Sequence, residues 1–166
     1  MFNGRTILNT GAASGLGRAW AEGFTADGAT VDAADINGEG LKKVPARVHL
    51  TVDVSDSNQV EQMILDSIEQ TGRIDVLFNN AGVGFNKRLE NSSKGDFEQH
   101  IAVHLFAMVN AIRTAIPYMR TQNYGRIINT ISRNAEYDVI GTSAYAAAKA
   151  AMWAASRVTA AELHGT

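Results

Sequence analysis

The sequence predicts an α/β fold built on a parallel β-sheet. Two observations carry that expectation. Short β-prone runs alternate with longer segments of helical periodicity, and a glycine cluster from Gly11 to Gly17 joins the first run to the first helix. The length of 166 residues allows one continuous core and sets an expectation of a single domain over 1–166.

The elements follow in order. Thr6–Thr10 reads as the first strand, and the glycines turn it into a helix that ends near Asp27. A second strand spans 29–35 and leads into a loop over 37–40, and a third spans 48–54. Ser57–Thr71 is a helix with Val60, Met63, Ile64 and Ile68 at helical spacing. A fourth strand over 74–79 is closed by Ala81-Gly82. Beyond a polar loop, 96–121 forms a long helix with Ile101, Leu105, Met108, Ile112 and Ile116 on one stripe, its last turns kinked or frayed by Pro117. A fifth strand spans 126–132 and an alanine-rich helix 143–163, with no repeat, low-complexity segment or internal linker.

Composition narrows the class. The chain is 45% hydrophobic and 19% charged, too apolar for disorder. It has no cysteine, which excludes disulfide scaffolds and thiolate metal sites and agrees with a reducing compartment. With a net charge of −2 and scattered Lys and Arg, no nucleic-acid partner is expected. The opening residues lack the apolar core of a signal peptide. Lys149 and Arg157 interrupt the alanine-rich stretch, so no membrane span is expected and the location is read as cytoplasmic.

The turn Thr10-Gly11-Ala12-Ala13-Ser14-Gly15-Leu16-Gly17 follows a strand and opens a helix. Glycines allow a tight turn and close backbone approach, and a helix N-terminus offers free N–H groups and positive dipole to a pyrophosphate. A purely structural turn has the same outline. The next strand ends in Asp35, eighteen positions after Gly17. An acidic group there suits the ribose hydroxyls of NAD and repels the 2′-phosphate of NADP, although a plain turn residue is the alternative.

With that turn in place, the chain resembles the short-chain dehydrogenase/reductase family, in its main oxidoreductase branch. Asp53-Val54 resembles the pair that contacts the adenine ring, and Asn79-Asn80-Ala81-Gly82 the motif that braces the sheet beside the cofactor. Tyr145-Ala146-Ala147-Ala148-Lys149 resembles the Tyr-x-x-x-Lys motif, with Ser132 thirteen residues before the tyrosine, where the family's catalytic serine lies. The resemblance implies a Rossmann-like doubly wound sheet in the order 3-2-1-4-5, lacking the family's last strands. It implies NAD held by Thr10, Gly11, Ser14, Gly15, Leu16, Gly17, Asp35, Asp53, Val54, Asn80, Ala81, Gly82, Tyr145 and Lys149. The substrate would be a small alcohol or carbonyl compound, with Ser132, Tyr145 and Lys149 as the catalytic groups.

Their chemistry can be argued directly. Tyr145 and Lys149 are i and i+4 on one helical face and can converge on one site. An ordinary tyrosine has a pKa near 10, and lowering it by three units takes roughly 4 kcal/mol of differential interaction, which a nearby cation favours. Ser132, at the carboxyl end of the fifth strand, could hydrogen-bond the substrate oxygen as charge develops on it. For the isolated pair, the plain alternative is a core tyrosine and a solvated lysine.

The sequence departs from the family at three positions. His104 stands where the family carries an asparagine that supports a water chain toward the lysine, so the resemblance includes it in the catalytic set. His100 and His104 are i and i+4, a zinc-compatible spacing, but no third ligand is evident and no metal is expected. Asn9 and Asp32 fall in strands where apolar residues are usual, which predicts either a compensating contact between them or a destabilised sheet.

The family continues beyond the alanine-rich helix, so the fifth strand is expected at an open edge. The small residues Ala147, Ala150, Ala151 and Ala154 suggest a homo-oligomer through the two long helices, or self-packing within one chain. Two rival functions remain. One is a sugar-nucleotide epimerase or dehydratase, which Asn79-Asn80-Ala81-Gly82 opposes. The other is a catalytically impaired fragment or dinucleotide-binding regulator with the same fold.

Overall fold

Five strands pair in parallel in the order β3-β2-β1-β4-β5 in the computed structural model, which describes residues 2–165. They are β1 (Thr6–Thr10), β2 (Thr30–Asp35), β3 (Val48–Thr51), β4 (Val76–Asn79) and β5 (Arg126–Asn129). The crossovers are α1 (Gly15–Ala26), the one-turn α2 (Gly38–Leu41), α3 (Ser57–Thr71), and α4 (Lys94–His100) running on into α5 (Ala107–Thr121), while α6 (Ser143–Glu162) follows β5. The expected strand order and doubly wound parallel sheet are therefore present, with β5 at the open edge.

Strand alternation divides the core into two layers. Leu8, Ala34 and Leu77 face α3, α5 and α6, packing with Met63, Ile64, Met108, Ile112 and Met152. Val31 and Ala33 face the other way, against Ala21 and Phe24 of α1 and Leu41 of α2. Helix α3 begins and ends where expected because both ends are capped. The Asp56 carboxylate accepts from the N–H groups of Asn58 and Gln59, and Gly72 adopts φ 79°.

Several expectations change. The loop over 37–40 contains α2, whose Asn37 side chain accepts from Gly40 N–H. Strands β3 and β5 end earlier than read, and β4 begins later. Helix α5 continues through Pro117 to Thr121. The disturbance lies upstream, where Ile101–Phe106 winds as a π-helix between α4 and α5. That combined helix, Lys94–Thr121, is also the most apolar long segment, with mean hydropathy 1.3 over its richest window, so length and composition alone would let it span a membrane. In this fold its inward residues Met108, Ala111, Ile112, Ala115 and Met119 belong to the core.

Asn9 and Asp32 make no contact. Leu8 is the register partner of Asp32, whereas Asn9 is opposite Ala33, so the two polar side chains lie on opposite faces of the sheet. Asn9 donates to the Gly17 carbonyl at 2.7 Å. Asp32 accepts from the Ser67 hydroxyl of α3 at 2.5 Å, while its other oxygen has no partner. Burial pushes the Asp32 carboxyl up to about 6, against the opposing effects of Ser67 and the Arg47 charge.

A pKa raised on folding favours the protonated form, so this stabilisation is present below the unfolded value near 3.8 and is lost as pH rises through about 6. Asp32→Asn, which imitates the neutral acid, should stabilise the protein by up to about 3 kcal/mol at pH 7. The gain should shrink toward zero below pH 4. Urea unfolding of both proteins at pH 7 and pH 4 checks this, and an equal difference at both would contradict it.

Candidate active site

The carboxyl ends of β1 and β4 are joined by a contact that leaves no room for side chains. Gly11 has φ 70°, and a Cβ placed on it would lie 2.8 Å from Ala81 Cα. A Cβ on Gly17 would lie 2.0 Å from the Gly11 carbonyl oxygen and 2.6 Å from Asn80 Nδ2. Hydrogen bonds hold the approach. Thr10 Oγ1 accepts from the N–H groups of Asn80 and Ala81 at 3.0 and 3.1 Å, and Asn80 Nδ2 donates to the Thr10 carbonyl at 3.0 Å. Asn9 fastens the far side of the turn through Gly17, which explains a polar residue in a fully buried strand position. Ser14 caps α1 without a side-chain hydrogen bond, and the first turn carries no acidic side chain. The helix therefore presents its N-terminal N–H groups and positive end to the groove.

Asp35 reaches the same groove and also braces it. One carboxylate oxygen accepts from Ala13 N–H and the other from Asn37 N–H, each at 2.9 Å. Both readings of Asp35 thus meet in one side chain, since each oxygen retains a further lone pair. Next to it, Asp53 and Val54 line a cleft of about 450 Å³ with Ile36, Ala102 and Val103. That cleft shares Gly11, Asp35, Ala81, Gly82 and Val83 with a second one of about 620 Å³, and the two form a continuous groove across the top of the sheet.

The second cleft collects Gly11, Ser14–Gly17, Asp35, Asn80–Gly82, His104, Tyr145 and Lys149 from five separate segments. Lys149 is only 3% exposed, and its ammonium donates to the Thr130 carbonyl at 2.7 Å. It lies 5.7 Å from the centroid of the Tyr145 ring, so the i,i+4 pair does converge. Burial pushes the Lys149 ammonium down to about 8. Ser132 caps the short 3₁₀ turn Arg133–Ala135, its hydroxyl oxygen accepting from Asn134 N–H at 3.2 Å. Its neighbours Thr130 and Asn134 line the cleft, whereas Ser132 itself does not.

His104 is buried and donates from Nε2 to the Val83 carbonyl at 2.8 Å. Burial and then the Lys149 charge push its imidazole down to about 4, outweighing the Val83 hydrogen bond. His100 is also buried and donates from Nδ1 to the Asp96 carbonyl at 2.8 Å. Among the described residues, no group of three or more His, Cys, Asp and Glu converges as metal ligands would.

Sequence reasoning missed Thr130, Phe85, Asn86, Asn134 and Thr142 on the cleft wall. Thr130 acts on Lys149 through its backbone carbonyl, for which side-chain identity carries no signal. A separate hollow of about 290 Å³ lies between α5, α6 and the β5 edge and holds none of the predicted site residues.

The model of the short-chain dehydrogenase family matches residues 5–166. This chain belongs to the short-chain dehydrogenase family. It is 35% identical to a 3-oxoacyl-(acyl-carrier-protein) reductase of Thermotoga maritima, across 99% of this chain and 70% of that protein. It is 34% identical to levodione reductase of Leifsonia aquatica, across 97% of this chain and 64% of that one. The solved structure of NAD+-bound xylitol dehydrogenase superposes with a TM-score of 0.92 at 30% identity, covering 98% of this chain and 66% of its own. This short-chain dehydrogenase chain thus spans about two thirds of the length of such relatives.

The glycine contact yields a direct test. Gly17→Ala should lower Tm by roughly 10 °C or more, because the added methyl overlaps backbone. Gly23→Ala, on the exposed side of the same helix with open space around it, should leave Tm unchanged or raise it slightly. Equal effects at the two positions would refute the close-approach reading.

Proposed function

We propose that this chain binds NAD along the groove and serves hydride transfer between that cofactor and an alcohol or carbonyl compound. One observation carries the reading: Tyr145 and Lys149 open into the same cleft as the glycine turn and Asp35. The cradle fits a dinucleotide, since Gly15, at φ 53° in the turn, lines the cleft with open space where a Cβ would stand. The α1 N-terminus would hold the pyrophosphate, Asp35 the ribose hydroxyls, and Asp53 and Val54 the adenine end. The Asp35 charge favours NAD over NADP. The NAD+-bound relative supports the cofactor class.

NAD supplies the hydride acceptor or donor when bound. The chain's residues manage the oxygen. As phenolate, Tyr145 takes the hydroxyl proton when an alcohol is oxidised; as phenol, it returns a proton when a carbonyl is reduced. The Thr130 carbonyl keeps the Lys149 cation beside the Tyr145 ring. Ser132 stands between the cleft-lining Thr130 and Asn134 in sequence but outside the cleft lining itself. With Asn134 N–H on one lone pair, its hydroxyl proton would serve a substrate oxygen only if the side chain turned into the cleft. As burial sets the Lys149 ammonium near 8, the positive charge beside the Tyr145 ring declines above that pH. Exposed Phe106 and Val109 on the long helix and Trp153 on α6 support self-association through these helices.

Titration with NADH tests the cofactor reading, and no binding at millimolar concentration would overturn it. Tyr145→Phe should lower kcat about 10²–10⁴-fold while leaving the NADH Kd within about threefold. Turnover retained in that variant would remove the acid/base assignment. Asp35→Ala should reduce the NAD/NADP preference by at least about tenfold, a ratio in which losses common to both cofactors cancel. An unchanged ratio would contradict the role given to the Asp35 charge.

A further inference from the structure

The two buried histidines of the long helix have no role in the reaction just described beyond the family position that His104 occupies. Their hydrogen bonds define their protonation. A carbonyl only accepts, so His104 carries its proton on Nε2 toward Val83, and His100 carries its own on Nδ1 toward Asp96. The remaining nitrogens, His104 Nδ1 and His100 Nε2, are buried and have no partner. A second proton on the His104 ring would face no acceptor, so that imidazole is held neutral.

The same rings connect two parts of the cleft. The Phe85 ring stands edge-on to His100, with centroids 4.4 Å apart. His100 and His104 stack at 5.8 Å, and the Tyr145 ring stands edge-on to both, at 6.1 and 5.3 Å. On one side the histidines thus hold the loop carrying Val83 and Phe85, which walls the cleft. On the other they back the ring of Tyr145. Gly82 makes room for this arrangement: a Cβ there would lie 2.6 Å from His104 Cε1 and 3.2 Å from Nδ1.

We infer that His100 and His104 form an aromatic strut that sets the position of the Tyr145 ring and of the cleft wall 83–85. Both are positioning residues, and Gly82 is the partner that admits His104. The pair at i and i+4 that could suggest a metal is explained by packing between loop and helix. The catalytic part of this inference rests on the reaction proposed above; the contact itself does not.

A double-mutant cycle tests the contact. Gly82 has no positive φ, so Gly82→Ala probes space alone. With His104 present it should lower Tm by roughly 5–10 °C, and in a His104→Ala background by less than about 2 °C. Additive losses would overturn the strut. Imidazole nitrogen shifts should report the Nε2–H form of His104 and the Nδ1–H form of His100, and the opposite tautomers would overturn it as well. For positioning, His104→Ala should lower kcat at least about tenfold with the NADH Kd within about threefold, while His104→Gln, which keeps a donor for Val83, should recover most of that loss. A coupled cycle with unchanged kcat in His104→Ala would refute positioning while leaving the contact intact. A wild-type chain that binds no NADH would refute the function proposed above, and the Tm cycle would still decide the strut.

Discussion

The arrangement depends on one backbone contact, the approach of the turn after β1 to the loop after β4. Neither Gly11 nor Gly17 has room for a methyl group, because Ala81, Asn80 and the turn's own carbonyl occupy that space. Thr10 and Asn80 exchange hydrogen bonds across the gap. With the two loops fixed together, the free end of α1 and the Asp35 carboxylate face one groove. Without the contact, the crevice between β1 and β4 would be an ordinary gap between loops.

Polar groups buried around that contact are costly unless each has a defined partner. Asn9 has the Gly17 carbonyl, Lys149 has the Thr130 carbonyl, and each histidine has one carbonyl. All four partners are main-chain oxygens, which hold position without adding another titrating group. Asn9, both histidines and Asp32 each leave one further buried polar atom unpaired. Asp32 differs in lying in the core below the groove and in having a side chain, the Ser67 hydroxyl, as its partner. Its burden falls on stability, since it takes no part in lining either cleft.

Legibility followed physical locality. Helix α3 could be read to its ends because Asp56 and Gly72 are cap residues whose preferences are local. Tyr145 and Lys149 could be placed together because helical spacing alone brings i and i+4 onto one face. The π turn over Ile101–Phe106 could not be read, since its apolar stripe is also compatible with an ordinary helix. Of the two expectations for Asn9 and Asp32, a mutual contact is excluded because neighbouring strands guarantee proximity but not a shared face, and register decides the face. The burden at Asp32 is the one that remains. Thr130 was invisible for a different reason, as a carbonyl has no residue type.

The open edge at β5 has a consequence for how firmly each part of the site is held. In a parallel pair, alternate residues direct their amides toward the neighbouring strand, and here Arg126 and Thr130 do so toward Asp75 and Asn79. The amides of Ile127 and Asn129 therefore point away from β4, with no strand beyond β5 among the described residues. Local opening of β5 breaks bonds on one side only, whereas β1 must separate from strands on both sides. The glycine turn rises from a strand paired on both sides, while the Thr130 carbonyl that holds Lys149 sits at the end of an edge strand. Within the described residues, the two halves of the groove thus rest on supports of unequal local free energy, with the Tyr145 and Lys149 end on the softer one.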